Sequence, residues 1–287
     1  MALHSSRYWP AHGAVPATDL VDLRLQCHHA AQIVVSVGVS LLPAKPDDSH
    51  TNLEWLTREA ALAGRLAPAR HPFRAALRIK DLTLLMCDAD GVSWAQYPLG
   101  SHTVAEAMAW LAQRITDTGG EADKLTPKKH YAIPDHPVAS GGRFTPTAGT
   151  AASAFMELGA YYAGADFLLR ELEAVTEGAS EVRCWPHHFD LATLISLPGN
   201  PAGRTVGAGL SPGDDSYPEP YYYVTPYPYP PSRTQPGLPA GRWHTAGWFG
   251  AVLRGSDFAP LPGADAQQSR VKGFLEAAVA ACREMLA

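Results

Sequence analysis

Leu82-Thr-Leu-Leu-Met-Cys-Asp-Ala-Asp-Gly-Val-Ser-Trp-Ala-Gln-Tyr-Pro98 reads as two strands and the reversal between them. Residues 82–88 form a short apolar run and 92–98 a second strand-like run, each the length of a strand rather than a helix. Between them Asp88-Ala-Asp-Gly91 supplies residues that tolerate the positive φ of a tight hairpin turn. Strands joined so closely pair antiparallel. A sheet that grows by hairpins, with helices elsewhere in the chain, defines an α+β protein.

Working outward, 52–67 and 73–79 read as strands before the hairpin. After it, Ser101 or Thr103 caps a helix to about Ile115 that carries Val104, Met108, Leu111 and Ile115 on one face and Glu106 in its first turn. Residues 1–17 form an irregular lead-in and 43–50 a turn-rich break. Between Asp19 and Leu42 two periods compete: a helical stripe (Leu23, Cys27, Ala30, Val34) and a strand-like alternation from Val35 to Leu41. Length and a cap at Asp19 favour helix. Residues 117–149 are a long Gly-, Pro- and Lys-containing connection that wraps the surface.

The order then repeats. Residues 150–177 predict a helix with a wide apolar face (Phe155, Leu158, Tyr162, Leu168, Leu172), stopped near Gly178. Strands follow at 181–185, 191–197, 205–210 and 221–225, and a last helix at 265–285. Eleven prolines between Pro198 and Gly241 confine much of that interval to loop and edge strand. The expected architecture is α+β, with largely antiparallel sheets flanked by helices in two similar helix–strands–helix halves. The repetition lies in element order, not in residues. The division expected is an N-terminal half at 18–118, a connecting segment at 119–149 and a C-terminal half at 150–287 that carries the site.

Composition narrows the function. The 287 residues bury a substantial core, and the net charge is −5 without a run of Lys or Arg. Nucleic acid and anionic membranes are therefore not expected partners, since both need a concentrated cationic patch. Cys27, Cys87, Cys184 and Cys282 are scattered, with no C-x-x-C pair. They read as reduced thiols of a cytoplasmic protein. The N-terminus lacks an apolar signal core, and the apolar stretch 30–42 is too short to span a bilayer.

Chemistry concentrates in Cys184-Trp-Pro-His-His-Phe-Asp190, Gly213-Asp-Asp-Ser-Tyr-Pro-Glu-Pro-Tyr-Tyr-Tyr223 and Trp243-His-Thr-Ala-Gly-Trp248, which hold three imidazoles, four carboxylates and eight large aromatic side chains. If its backbone is extended, His188 and Asp190 share a face, as a general-base pair or, with His187, as ligands for zinc, iron or manganese. The competing reading is that Asp190 and one histidine tie the bend at Pro186. Gly207-x-Gly209 lacks the helix that a dinucleotide or phosphate loop requires directly after its glycines; on a strand, these glycines permit close approach of a neighbour or ligand. Asp214 and Asp215 read as a solvated acidic turn. Glu219, held between two prolines, is a rigid carboxylate that needs a partner if buried. Alternation splits Tyr221 and Tyr223 from Tyr222, with packing the commoner role of such tyrosines. His244 stands between two tryptophans. His50 is a further contributor to the same cleft, whereas His28 and His29 read as structural. No G-x-S-x-G elbow occurs, and Cys184 reads as a buried thiol.

The segments 184–194, 219–223 and 247–253 together resemble a bacterial family known as a domain of unknown function. Its members carry an aromatic-rich stretch ending in Phe-Asp-Leu and a later tyrosine- and proline-rich segment. The resemblance runs from about Asp19 to the end and is more specific in the C-terminal half. It implies a coherent domain without a reaction. Members with small residues in place of His187 and His188 shift the weight to Asp190 and Glu219. The reading reached is a small-molecule enzyme whose cleft holds Asp190, Glu219 and His244 as acid–base residues, with a divalent transition metal on His187, His188 and Asp190 as an option. The alternative is a non-catalytic small-molecule binding module with an aromatic platform.

Overall fold

A computed structural model describes residues 9–199, 203–230 and 235–287. The first eight residues of the lead-in, and residues 200–202 and 231–234 of the proline-rich stretch, lie outside the described residues. The fold is α+β. Its elements in chain order are α1 (Val21–Leu41), β1 (Glu54–Leu56), β2 (Ala61–Ala63), β3 (Arg74–Arg78), β4 (Thr83–Cys87), β5 (Ser93–Pro98) and α2 (Val104–Asp117), followed by α3 (Gly149–Val175), β6 (Arg183–Trp185), β7 (Asp190–Ser196), β8 (Thr205–Ser211), β9 (Tyr221–Tyr227), β10 (Arg242–His244), β11 (Gly250–Arg254), α4 (Gly255–Phe258) and α5 (Ala264–Leu286). Two sheets form, one of order β1-β2-β3-β4-β5 and one of order β10-β11-β9-β8-β7-β6.

The chain divides into two compact units that do not follow chain order. One holds Leu20–Gly159 with Cys184–Phe189, and the other holds Ala160–Arg183 and Asp190–Ala287 together with residues 9–19. The connection at 119–149 thus belongs wholly to the first unit, and the division falls inside α3.

In the first unit the hairpin forms as the sequence requires. Asp88 Oδ1 accepts from the amides of Asp90 and Val92, and Gly91 takes φ +77°. Every residue of β4, which pairs with β3 on one side and β5 on the other, is buried. Residues 52–67 form two strands, because Arg58-Glu59-Ala60 reverses the chain and Ala60 takes a positive φ. For α1 the helical period wins over the alternation. Gly38 sits mid-helix because a Cβ there would lie 2.6 Å from the carbonyl oxygen of His50. Asp19 does not cap it; Ala17–Leu20 is a 3₁₀ turn, and the helix begins with no side-chain cap bond. Thr103 does cap α2, in a reciprocal pair with Glu106.

A polar stripe runs down α1 at one-turn spacing and holds the connection against it. Ser40 Oγ accepts from Thr126 N at 2.9 Å, Gln32 Oε1 from Tyr131 Oη at 2.8 Å, and His29 Nε2 donates to Pro134 O at 2.9 Å. Further along, Gln26 exchanges two bonds with Thr145, and Asp22 meets His136 at 3.1 Å. Residues 22, 26, 29, 32 and 40 share one helix face. The stripe accounts for the burial of Gln26 and His29.

In the second unit the sheet strands β7 to β11 present two unlike faces. Tyr222, Val224, Leu210, Ala208, Leu253 and Ala251 are buried toward α5. The register places Tyr221 opposite Ser211 and Arg254, Tyr223 opposite Gly209 and Val252, and His244 opposite Gly250, all on the other face. Tyr222 is fully buried near Phe258, so the alternation separates it from Tyr221 and Tyr223.

Candidate functional site

Residues 186–189 are a turn, not an extended run. Phe189 takes φ +58°, and its amide donates to Trp185 O at 2.7 Å. Pro186 O accepts from His28 Nε2 at 2.8 Å and from Gln32 Nε2 at 3.0 Å, while the His28 ring stacks on Phe189 at 5.1 Å. Burial lowers the His28 pKa to about 4, so this imidazole is neutral at pH 7. The His187 ring meets those of Tyr131, Trp185 and His188. Desolvation lowers its pKa, and the neighbouring His188 adds to the effect.

Among the described residues, no three His, Cys, Asp or Glu side chains gather so as to hold a metal ion. The described residues therefore give no support to zinc, iron or manganese on His187, His188 and Asp190. Shared ligation required strand alternation from His188 to Asp190, and the left-handed backbone at Phe189 breaks it. His50 belongs to the first unit, where its Nδ1 accepts from Lys45 N.

The remaining candidates lie in the second unit and have separate partners. Asp190 opens β7, and its Oδ2 accepts from Tyr223 Oη at 2.5 Å. Tyr223 reaches it across β8, where a Cβ on Gly209 would lie 2.8 Å from the phenol oxygen. The glycine in that strand thus admits a neighbour's side chain. Glu219 is buried and closes the start of α4. Its Oε2 accepts from Ser256 N at 2.7 Å, its Oε1 accepts from Ser256 Oγ at 2.9 Å, and Arg254 stands 3.8 Å away.

His244 belongs to an aromatic cluster. Its Nε2 is 2.6 Å from Ala246 O, and a carbonyl can only accept, so Nε2 carries the proton. In the neutral ring Nδ1 then accepts from Tyr217 Oη at 2.9 Å. The imidazole stacks on Trp248 at 4.2 Å; Tyr221 lies near-parallel to that indole at 6.5 Å and 5.1 Å from Tyr217. Trp248 stands over Gly250, where a Cβ would come within 2.8 Å of the indole. Asp214 organises the loop beneath. Its Oδ1 accepts from the amides of Ser216 and Tyr217, and its Oδ2 accepts from Tyr221 Oη at 2.6 Å. Burial pushes the Tyr221 hydroxyl pKa up, and the bond to Asp214 adds to the shift. Trp248 Nε1 donates to Ser216 Oγ at 3.2 Å.

Asp190 thus bonds Tyr223, Glu219 bonds Ser256, and His244 bonds Tyr217 and Ala246. Both nitrogens of His244 and both oxygens of Glu219 are engaged. Tyr217, Trp248 and Asp214 are members that sequence reasoning did not select, although Asp214-x-Ser216 followed by Tyr217 carries the signal of an Asx turn. Two surface grooves lie elsewhere, one of about 320 Å³ between α3 and α5 and one of about 550 Å³ beside α2. Neither is lined by a candidate residue. No protein-family model, curated protein or solved structure matches the chain.

Proposed function

We propose that this protein binds a small molecule on the Tyr217–Tyr221–His244–Trp248 cluster and acts as a binding module. One observation carries the reading: four rings pack face and edge on one another, and the polar atom of each is fixed by a hydrogen bond. Tyr217, His244 and Trp248 are half-buried, so part of each ring faces solvent. A pre-ordered aromatic surface loses little entropy when a ligand settles on it. The enzyme reading needed Asp190, Glu219 and His244 to act together, and their separate partners favour binding instead. Kinship to the bacterial family resembled by 184–194, 219–223 and 247–253 is part of this proposal, since the last two segments supply Tyr221 and Trp248.

Calorimetry and intrinsic fluorescence, with choline, glucose and indole as probes, test the proposal. Binding by at least one probe is expected, with a fluorescence change that Trp248→Ala abolishes. Turnover of a bound probe, or equal binding by folded Trp248→Ala protein, would defeat it.

A further inference from the structure

Resting on that reading, we infer that the ligand is an organic ammonium ion, recognised by cation–π contact with Trp248 and by the carboxylates of Asp214 and Asp215. A donor–acceptor inventory carries this. Every ring donor is consumed inside the cluster: Tyr217 Oη on His244, Tyr221 Oη on Asp214, Trp248 Nε1 on Ser216 and His244 Nε2 on Ala246 O. The half-buried rings of Tyr217, His244 and Trp248 therefore offer a ligand π surface and acceptor lone pairs but no N–H or O–H donor.

The charges agree. Arg254 lies across from Tyr221 in the sheet, but it is bonded to Asp257 at 2.8 Å and stands 3.8 Å from Glu219. Arg242 on β10 is 3.7 Å from the same Asp257. These two cations face two carboxylates and cancel. Asp214 and Asp215 are exposed acids of the adjoining loop, and neither takes part in an ion pair with Arg254 or Arg242. An anionic ligand would meet two carboxylates that, among the described residues, no Arg or Lys pairs, and no ring donor. A neutral polyol would find acceptors but gain nothing from that charge. An alkylated ammonium gains from both, because its positive charge is drawn to carboxylates and to the negative ring face, and its methyl groups cover the aromatic surface.

Choline against its uncharged isostere 3,3-dimethylbutan-1-ol decides the matter, with glucose and indole as neutral controls. Choline is expected to bind, the isostere at least tenfold more weakly, with choline affinity falling as salt rises. Asp215→Asn removes one charge at an exposed side chain that makes no hydrogen bond or ion pair among the described residues, so it is expected to leave the fold intact. It is expected to weaken choline severalfold and leave the isostere unchanged. Equal binding of choline and isostere overturns the inference. So does binding of glucose or indole without choline, an outcome that leaves the platform reading standing. If none of the four binds the wild-type chain, both readings fall.

Discussion

Gly209 shows how one missing side chain sets the arrangement of a sheet face. A Cβ there would come within 2.8 Å of the Tyr223 hydroxyl and 2.7 Å of the Leu191 carbonyl oxygen, and the backbone atom has nowhere to go. Gly209→Val is expected to destabilise the protein by about 1–3 kcal/mol in urea denaturation, as overpacking does. Gly207 on the same strand meets only a Thr225 methyl, at 3.4 Å. Gly207→Ala is therefore expected to stay within about 0.5 kcal/mol of wild type. Equal costs at the two positions would show that Tyr223 does not cross β8 as described. Glu219 makes a second contrast. Its two bonds to Ser256 satisfy the opening of α4, so Glu219→Ala is expected to cost about 1–3 kcal/mol of stability, read by thermal melts. Ligand affinity should survive in the folded fraction, because none of the four rings bonds to Glu219.

At the scale of elements, the polar stripe of α1 is what fixes the long connection. Gln26 alone makes two bonds to Thr145 while also holding Asp22. Gln26→Leu is expected to speed amide exchange across residues 126–145 and leave β3 and β4 unchanged, as local opening without global unfolding does. The stripe was present in the sequence but unread: His29 read as structural, whereas Asp22, Gln26, Gln32 and Ser40 look like solvent-facing residues until a partner segment is known. The apolar periods were legible by contrast. They placed α2, α3 and α5 within a few residues, and Asp88–Gly91 marked the hairpin through its turn chemistry. β10 and β11 went unread because each is short and glycines interrupt the interval between them. The site was legible in location and not in membership. Its bonds join Tyr217 to His244 and Tyr223 to Asp190, pairs that register brings together and that no spacing along the chain announces. The turn at 186–189 defeated the alternation argument for the same reason, since one left-handed residue reverses which face a side chain takes.

Across the whole molecule, the buried histidines tie folding to pH. His28 in the folded chain gains a proton only near pH 4, whereas an unfolded imidazole does so near 6.5. Between these values the unfolded state binds more protons, so the stability from burying neutral His28 is complete above pH 6.5 and is lost as pH falls toward 4. From pH 7 to pH 5 the loss from His28 alone is about 2 kcal/mol by linkage. His29 and His187 are shifted in the same direction, chiefly by burial, and act in the same window. All three lie in the unit built on the five-stranded sheet, so its unfolding should carry the dependence. Carboxylates with lowered pKa values, such as Asp47 and Glu106 on their amide bonds to Ser49 and Thr103, act below about pH 5 and touch only the lower edge of this window. His28→Gln keeps a donor for Pro186 O and removes the titration. Urea denaturation at pH 7 and pH 5 should then show a drop for the variant that is smaller than the wild-type drop by about 2 kcal/mol. An unchanged slope would mean that His28 is not the neutral, desolvated group that its place against Phe189 makes it.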